Sequence, residues 1–197
     1  AGQGAEVESV RLADKRVLDC VGCLRCLKEG RCVLDDDVAE IMAGMKEADG
    51  LVVGSPVRNG MTTACYKRFY ERITYLLGFT LALADKYVLA VSSVGFMGGR
   101  GVCRTLLGFQ GVFHARLSGH EHFRVGIPAR VTMDQARPRL ERAADRLMGD
   151  IQSKKGRGLA GRLTLWLDRV TVARFMLRKN PETYAHVIEE WKKKGYW

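Results

Sequence analysis

A chain of 197 residues is long enough to bury a sizeable core as one domain, or as one domain with an appendage. Its 47% hydrophobic and 27% charged residues exclude a disordered or fibrous chain, and no run of eighteen apolar residues is present to cross a membrane as a helix. The net charge of +10 is uneven: residues 151–197 carry eleven Lys and Arg against four Asp and Glu, which is +7 of the total. Such a basic end suits nucleic acid, an anionic membrane surface, an acidic partner or a solvated helix face.

In chain order, Ala1–Ala5 reads as the end of a helix and a turn, and Val7, Ser9, Val10 and Leu12 predict a strand. The stretch DCVGCLRCLKEGRCVLDDD follows at residues 19–37. It sets Cys20, Cys23, Cys26 and Cys32 at C-x2-C-x2-C-x5-C. Thiolates three apart on a tight loop can turn toward one point, as a [4Fe–4S] cluster requires. Zinc is the competing ligand, although its thiolates more often come as two distant C-x2-C pairs, and thiols that bind nothing or form disulfides remain a third reading. Cysteines of this kind suit a reducing cytoplasm. The run Asp35–Asp37 opens a helix over 37–48, whose Val38, Ile41, Met42 and Met45 share one face.

Residues 50–54 form a wholly apolar strand that runs into the loop Ser55, Pro56, Val57, Arg58, Asn59, Gly60. A helix is predicted over 62–77 and a second apolar strand over 86–92. The following loop, SVGFMGGRG, contains Ser93, Val94, Gly95, Gly98, Gly99 and Gly101, and leads into a helix reaching Leu107. Two weaker strands, 113–117 and 123–125, flank Ser118-Gly119-His120. His114, His120 and His122 around them read as loop residues, because no carboxylate joins them at ligand spacing. A long helix spans 133–151, with Pro138 near its start. Strand, glycine loop, helix, repeated, predicts a doubly wound parallel α/β sheet, with ligands in the crevice at the carboxyl ends of the strands. There a bare glycine backbone can approach a flat ring.

A polar hinge at 152–158 divides a main domain, 1–152, from a basic helical extension, 153–197. Leu163, Trp166, Leu167, Val170, Ala173 and Leu177 share a helix face expected to pack inward, on its own domain or a second subunit. Asn180-Pro181 breaks this helix, and a last one runs over 182–194. Arg174 falls inside the apolar side, which argues against a membrane-surface helix. Few aromatics and no recognised motif argue against nucleic acid.

These motifs together resemble the iron–sulfur flavoprotein branch of the NAD(P)H-dependent FMN reductase family. The resemblance is carried by CVGCLRC-x5-C with its acidic DDD, by ADGLVVGSPV-x2-G, by VGFMGGRG and by the closing EEWKKKGYW. It implies a flavodoxin-like sheet of order 2-1-3-4-5 whose first strand, phosphate-binding turn and helix precede residue 1. It implies FMN bordered by Ser55–Gly60 and Ser93–Gly101, a [4Fe–4S] cluster on Cys20, Cys23, Cys26 and Cys32, and NAD(P)H as electron donor. A homodimer or homotetramer is implied, since in relatives the cluster of one subunit approaches the flavin of its neighbour. Ferredoxin is the alternative electron source, and a quinone or FMN reductase without a cluster is the alternative enzyme. Arg58 departs from the family, where an aromatic residue often follows GSPV, and offers a positive charge beside the flavin or to an NADPH phosphate. No catalytic acid, base or nucleophile is required, because the flavin supplies the organic chemistry.

Overall fold

The computed structural model describes residues 4–125 and 131–197. Helices α1 (Arg25–Glu29) and α2 (Val38–Glu47) precede the sheet. Strands β1 (Gly50–Pro56), β2 (Tyr87–Val94) and β3 (Arg116–Arg124) lie parallel in the order β1-β2-β3. Parallel neighbours need crossovers. Helix α3 (Ala64–Ile73) joins β1 to β2, while α4 (Gly99–Leu106) and the short α5 (Gly108–Gly111) join β2 to β3. Beyond β3 come α6 (Met133–Gln152), α7 (Leu159–Val172) and α8 (Ala185–Lys193).

Helices cover both faces of β2. On one side Ile41, Met42, Phe69, Ile73, Val102 and Leu106 bury Val88 and Ala90. On the other, Ala143 and Leu147 of α6 pack on Tyr87 and Leu89. Thr132 starts α6 with a reciprocal cap, its hydroxyl accepting from Gln135 N while the Gln135 side chain accepts from Thr132 N. This is the expected α/β, flavodoxin-like, doubly wound arrangement, and its three strands fit the consecutive 3-4-5 run of the expected order.

Several local expectations are corrected. The strand predicted from Val7 to Leu12 does not form: the backbone is irregular there, closing in a 3-10 turn over Leu12–Asp14, and Val7 is exposed. Alternating polarity is a local signal, whereas a strand needs a paired neighbour, and this segment has none among the described residues. The turn expected at Ala1–Ala5 begins outside those residues. The two weak strands around Ser118-Gly119-His120 are one strand, β3, carrying a bulge: Val88 faces Leu117 and Leu89 faces Gly119, so Ser118 is the extra residue. Gly119 absorbs it at φ +147, and a Cβ there would stand 2.6 Å from the Arg146 guanidinium. The helix expected over 62–77 is α3 followed by a π turn, Thr74–Gly78.

In the extension, α8 docks on the body. Trp191, Val187, Ile188 and Leu177 form a second core with Leu27 of α1 and Leu81. Trp191 Nε1 donates to Phe79 O (2.7 Å), and Lys194 Nζ donates to Thr80 O and Leu81 O (2.9 Å each). The face expected to turn inward divides: Leu163, Trp166, Leu167 and Val170 are all about half exposed in this chain, while Leu177 is buried and Ala173 packs against the second core. Within α7 itself, Leu165 and Val172 take the inward side.

Candidate functional site

Two sets of predicted site residues assemble, toward the two ends of α3. At the carboxyl edge β1 and β2 end level, with Ser55 opposite Ser92 and Pro56 opposite Ser93. Val57 N then donates to Ser93 O (2.8 Å), so the two loops leave side by side. Arg58 and Met61 exchange N–H···O bonds of 2.9 Å around Asn59 (φ 49) and Gly60 (φ 78), a tight turn that needs left-handed residues at both central positions. Gly98, at φ +94, packs on this turn: a Cβ there would stand 3.2 Å from Gly60 Cα. The contact of the two loops is therefore backbone against backbone.

Ser55 is buried and does structural work. Its hydroxyl donates to Pro56 O (3.0 Å) and accepts from Thr63 N (3.1 Å), at the start of α3. Gly99 is closely packed as well, since a Cβ there would meet Val94 Cγ1 at 3.0 Å and His122 Cβ at 3.4 Å. Val94 itself is buried. By contrast, a Cβ built on Gly60, Gly95 or Gly101 meets nothing within 4 Å. Bare backbone faces open space here, with exposed Arg58 and Asn59 on one side and exposed Phe96 and Met97 on the other. Such a surface fits a flat, acceptor-rich ring such as that of FMN.

Beside the last turn of α3, Cys20, Cys23, Cys26 and Cys32 line one cavity with Arg72 and Tyr75. All six cysteines are free thiols. Burial first, and then the neighbouring Cys32, Cys23 and Cys20 thiols, push Cys26 up to about 11. Sulfurs crowded in this way lose protons readily only to a cationic group, so the donor set fits a metal centre chemically. As they stand, no three His, Cys, Asp or Glu side chains among the described residues form a group that would hold a single metal ion. Cys65 and Cys103 lie elsewhere, beside the Thr63 hydroxyl and the Glu121 carbonyl.

The cysteine loop is shaped by two left-handed residues, Leu24 (φ 56) and Gly30 (φ 72), at either end of α1. A Cβ on Gly30 would collide with the His186 ring of α8 at 2.6 Å. Arg72, which sequence reasoning missed, ties the loop together. It makes a bidentate pair with Asp36, one contact being Nη2 to Oδ1 at 3.1 Å, and donates to Leu18 O (2.8 Å) and Cys32 Sγ (3.3 Å). Both side chains of the pair are only 1% exposed. Burial acts to raise the Asp36 pKa, yet hydrogen bonds from Arg72, Leu18 N and Val38 N hold it below the usual carboxylate range. The available signal was a cation sharing the buried face of α3 with Phe69 and Ile73.

Helix α3 spans the gap between the two sites. Thr63 caps it beside Ser55, and Arg72 lies nine residues further on, about 14 Å at about 1.5 Å per residue. The three histidines near β3 do not converge on a metal group among the described residues. His114 is buried with Nε2 3.1 Å from Asp168 Oδ2, and burial outweighs that carboxylate in lowering its pKa.

The family model described as NADPH-dependent FMN reductase matches residues 1–126, more than half of the chain. An iron-sulfur flavoprotein of Methanocaldococcus jannaschii is 46% identical over 82 residues, covering 41% of this chain and 42% of that one. An iron-sulfur flavoprotein of Methanosarcina thermophila is 34% identical over 97 residues, covering 49% and 51%. The chain thus spans about half the length of these curated relatives. A solved flavone reductase aligns with a TM-score of 0.56 at 16% identity, over 78% of this chain and 54% of its own, which is a likeness of fold. No helix among the described residues is long and apolar enough to cross a membrane.

Proposed function

We propose, since this chain belongs to the NADPH-dependent FMN reductase family, that it is a flavin-dependent oxidoreductase moving electrons from NAD(P)H through FMN to a [4Fe–4S] cluster or an external acceptor. The observation that carries this reading is the pairing, on one sheet, of an open bare-backbone crevice with a cavity ringed by four thiols. FMN, when bound, takes a hydride from a nicotinamide and yields electrons one at a time. This chain's residues orient it. The Arg58–Met61 turn and the Ser93–Gly101 loop offer backbone N–H groups to the ring, and Arg58 brings the positive charge that a nicotinamide phosphate would meet. Phe96 and Met97 stand where they can exclude water from the crevice.

Cys20, Cys23, Cys26 and Cys32 would hold the cluster, with Arg72 donating to Cys32 Sγ and offsetting its negative charge. Thiols that ring one cavity without closing on a single point suit a cuboidal cluster better than one zinc ion, whose sulfurs stand about 2.3 Å from the metal. The two sites of one chain are separated along α3, which favours a homodimer or homotetramer in which the thiol site of one subunit meets the flavin crevice of another. Free thiols throughout fit a cytoplasmic protein.

The test is anaerobic purification followed by flavin, iron, sulfide and zinc analysis, and titration with NADPH and NADH. Bound FMN that nicotinamide bleaches, with iron and sulfide in equal amount, supports the reading. A colourless zinc protein refutes it, and a flavin reduced only by ferredoxin replaces the nicotinamide half.

A further inference from the structure

The extension carries a second concave surface that neither the flavin crevice nor the thiol cavity uses. Helix α7 and the chain's last residues enclose a groove of about 420 Å³ walled by Trp166, Arg169, Arg174, Arg178 and Tyr196. None of the three arginines is ion-paired with a carboxylate among the described residues. The neighbouring acid, Asp168, is turned away to His114 (3.1 Å). The Arg169 guanidinium lies over the Tyr196 ring, 3.8 Å from its centroid, and its Nε is buried without a hydrogen-bond partner among the described residues. Tyr196 is fixed in turn, edge-on to Trp191 at 6.4 Å.

Three guanidinium groups gathered without a counter-charge repel one another, and each presents planar N–H forks that match phosphate oxygens. Half-exposed Trp166 adds a flat apolar wall. The volume lies in the range of small-molecule sites, about 300–1,000 Å³. We propose that this groove binds a soluble organic phosphate of nucleotide size, with its phosphate on Arg169, Arg174 and Arg178 and its ring against Trp166. A second copy of this chain is the wrong occupant, because it would bring the same positive extension, on a chain of net charge +10, against these arginines. A lipid surface fits poorly too, since Arg174 interrupts the apolar row of Leu163, Trp166, Leu167 and Val170.

The groove is separate from the flavin crevice. It belongs to the amino edge of the sheet: Asp168 of the same helix bonds His114, and Arg157 just before α7 donates to Ala84 O and His114 O. These carbonyls precede β2 and β3, whereas the crevice follows β1 and β2. The eight residues of β2 set the two edges about 26 Å apart at about 3.3 Å per residue.

The test is calorimetric titration of the FMN-loaded chain with ADP and with pyrophosphate. Arg174→Ala/Arg178→Ala, both at exposed positions, should weaken ADP binding at least about tenfold. Arg142→Ala, at an exposed cation of α6 outside every site, should leave it unchanged, and loss in the arginine pair alone assigns the binding to this groove. Trp166→Ala should weaken ADP but spare pyrophosphate, and serves if the double variant fails to fold. Absent ADP binding, ADP binding indifferent to the arginine pair, or binding to phosphatidylglycerol vesicles without ADP binding would each overturn the proposal. None of these readouts depends on flavin reduction.

Discussion

Replacing Arg72 by Met would remove one partner of a charge pair that is almost wholly buried. The Asp36 carboxylate would keep only the N–H groups of Leu18 (2.8 Å) and Val38 (3.3 Å), and Leu18 O and Cys32 Sγ would each lose a donor. Breaking one side of a buried pair costs about 3–5 kcal/mol because an uncompensated charge stays behind. That is a large part of a domain's total, about 5–15 kcal/mol. With a urea slope of about 2 kcal/mol/M, the midpoint should fall by about 2 M. Arg72→Met/Asp36→Leu should recover part of the loss, since neither charge remains, although Leu18 N and Val38 N lose their acceptor. The pair also has a pH signature. Asp36 is held below its ordinary value of 3.8, so its contribution is fully present above that pH and is lost as pH falls through the lowered folded value. The stability gap between the parent chain and Asp36→Asn should therefore be flat from neutrality to about pH 4 and close below it. A cost under about 1 kcal/mol for Arg72→Met, or a double variant as unstable as the two single changes summed, would refute the reasoning.

Cys23→Ser should lose bound iron after anaerobic reconstitution and Cys65→Ser should keep it, as read by iron and sulfide analysis; equal iron in both would remove the assignment. Gly98→Ala forces a Cβ to within 3.2 Å of Gly60 Cα at φ +94, and should raise the FMN dissociation constant by about tenfold or more with the fold retained. Gly99→Val should act on stability instead, costing about 1–3 kcal/mol by overpacking against Val94, as urea denaturation will show. Trp191→Ala should cost about 3–5 kcal/mol and loosen the cysteine loop, since Leu27 packs on the same core; limited proteolysis near α1 checks this.

Sequence alone determined what depends on near neighbours. Continuous apolar runs fixed by composition became β1 and β2, the Gly60 and Gly98 positions became left-handed turns, and the C-x2-C-x2-C-x5-C spacing brought four sulfurs to one cavity. The long helix α6, with Pro138 near its start, was equally local. Where pairing or burial by distant residues decides, the same reading failed. Residues 7–12 alternate like a strand and meet no partner among the described residues, while Ser118-Gly119 looks like a turn and continues β3, because β2 holds both of its flanks. Arg72 is an ordinary helix residue until Asp36 and Leu18, 36 and 54 positions away, close over it. The apolar residues of α7 could mark either its inner or its outer side, and Leu165 and Val172 took the inner one. The separation of the thiol cavity from the flavin crevice likewise belongs to the tertiary structure, since it is set by the direction in which α3 runs back along the sheet. Burial is a property of the assembled chain, and no window of neighbouring residues contains it.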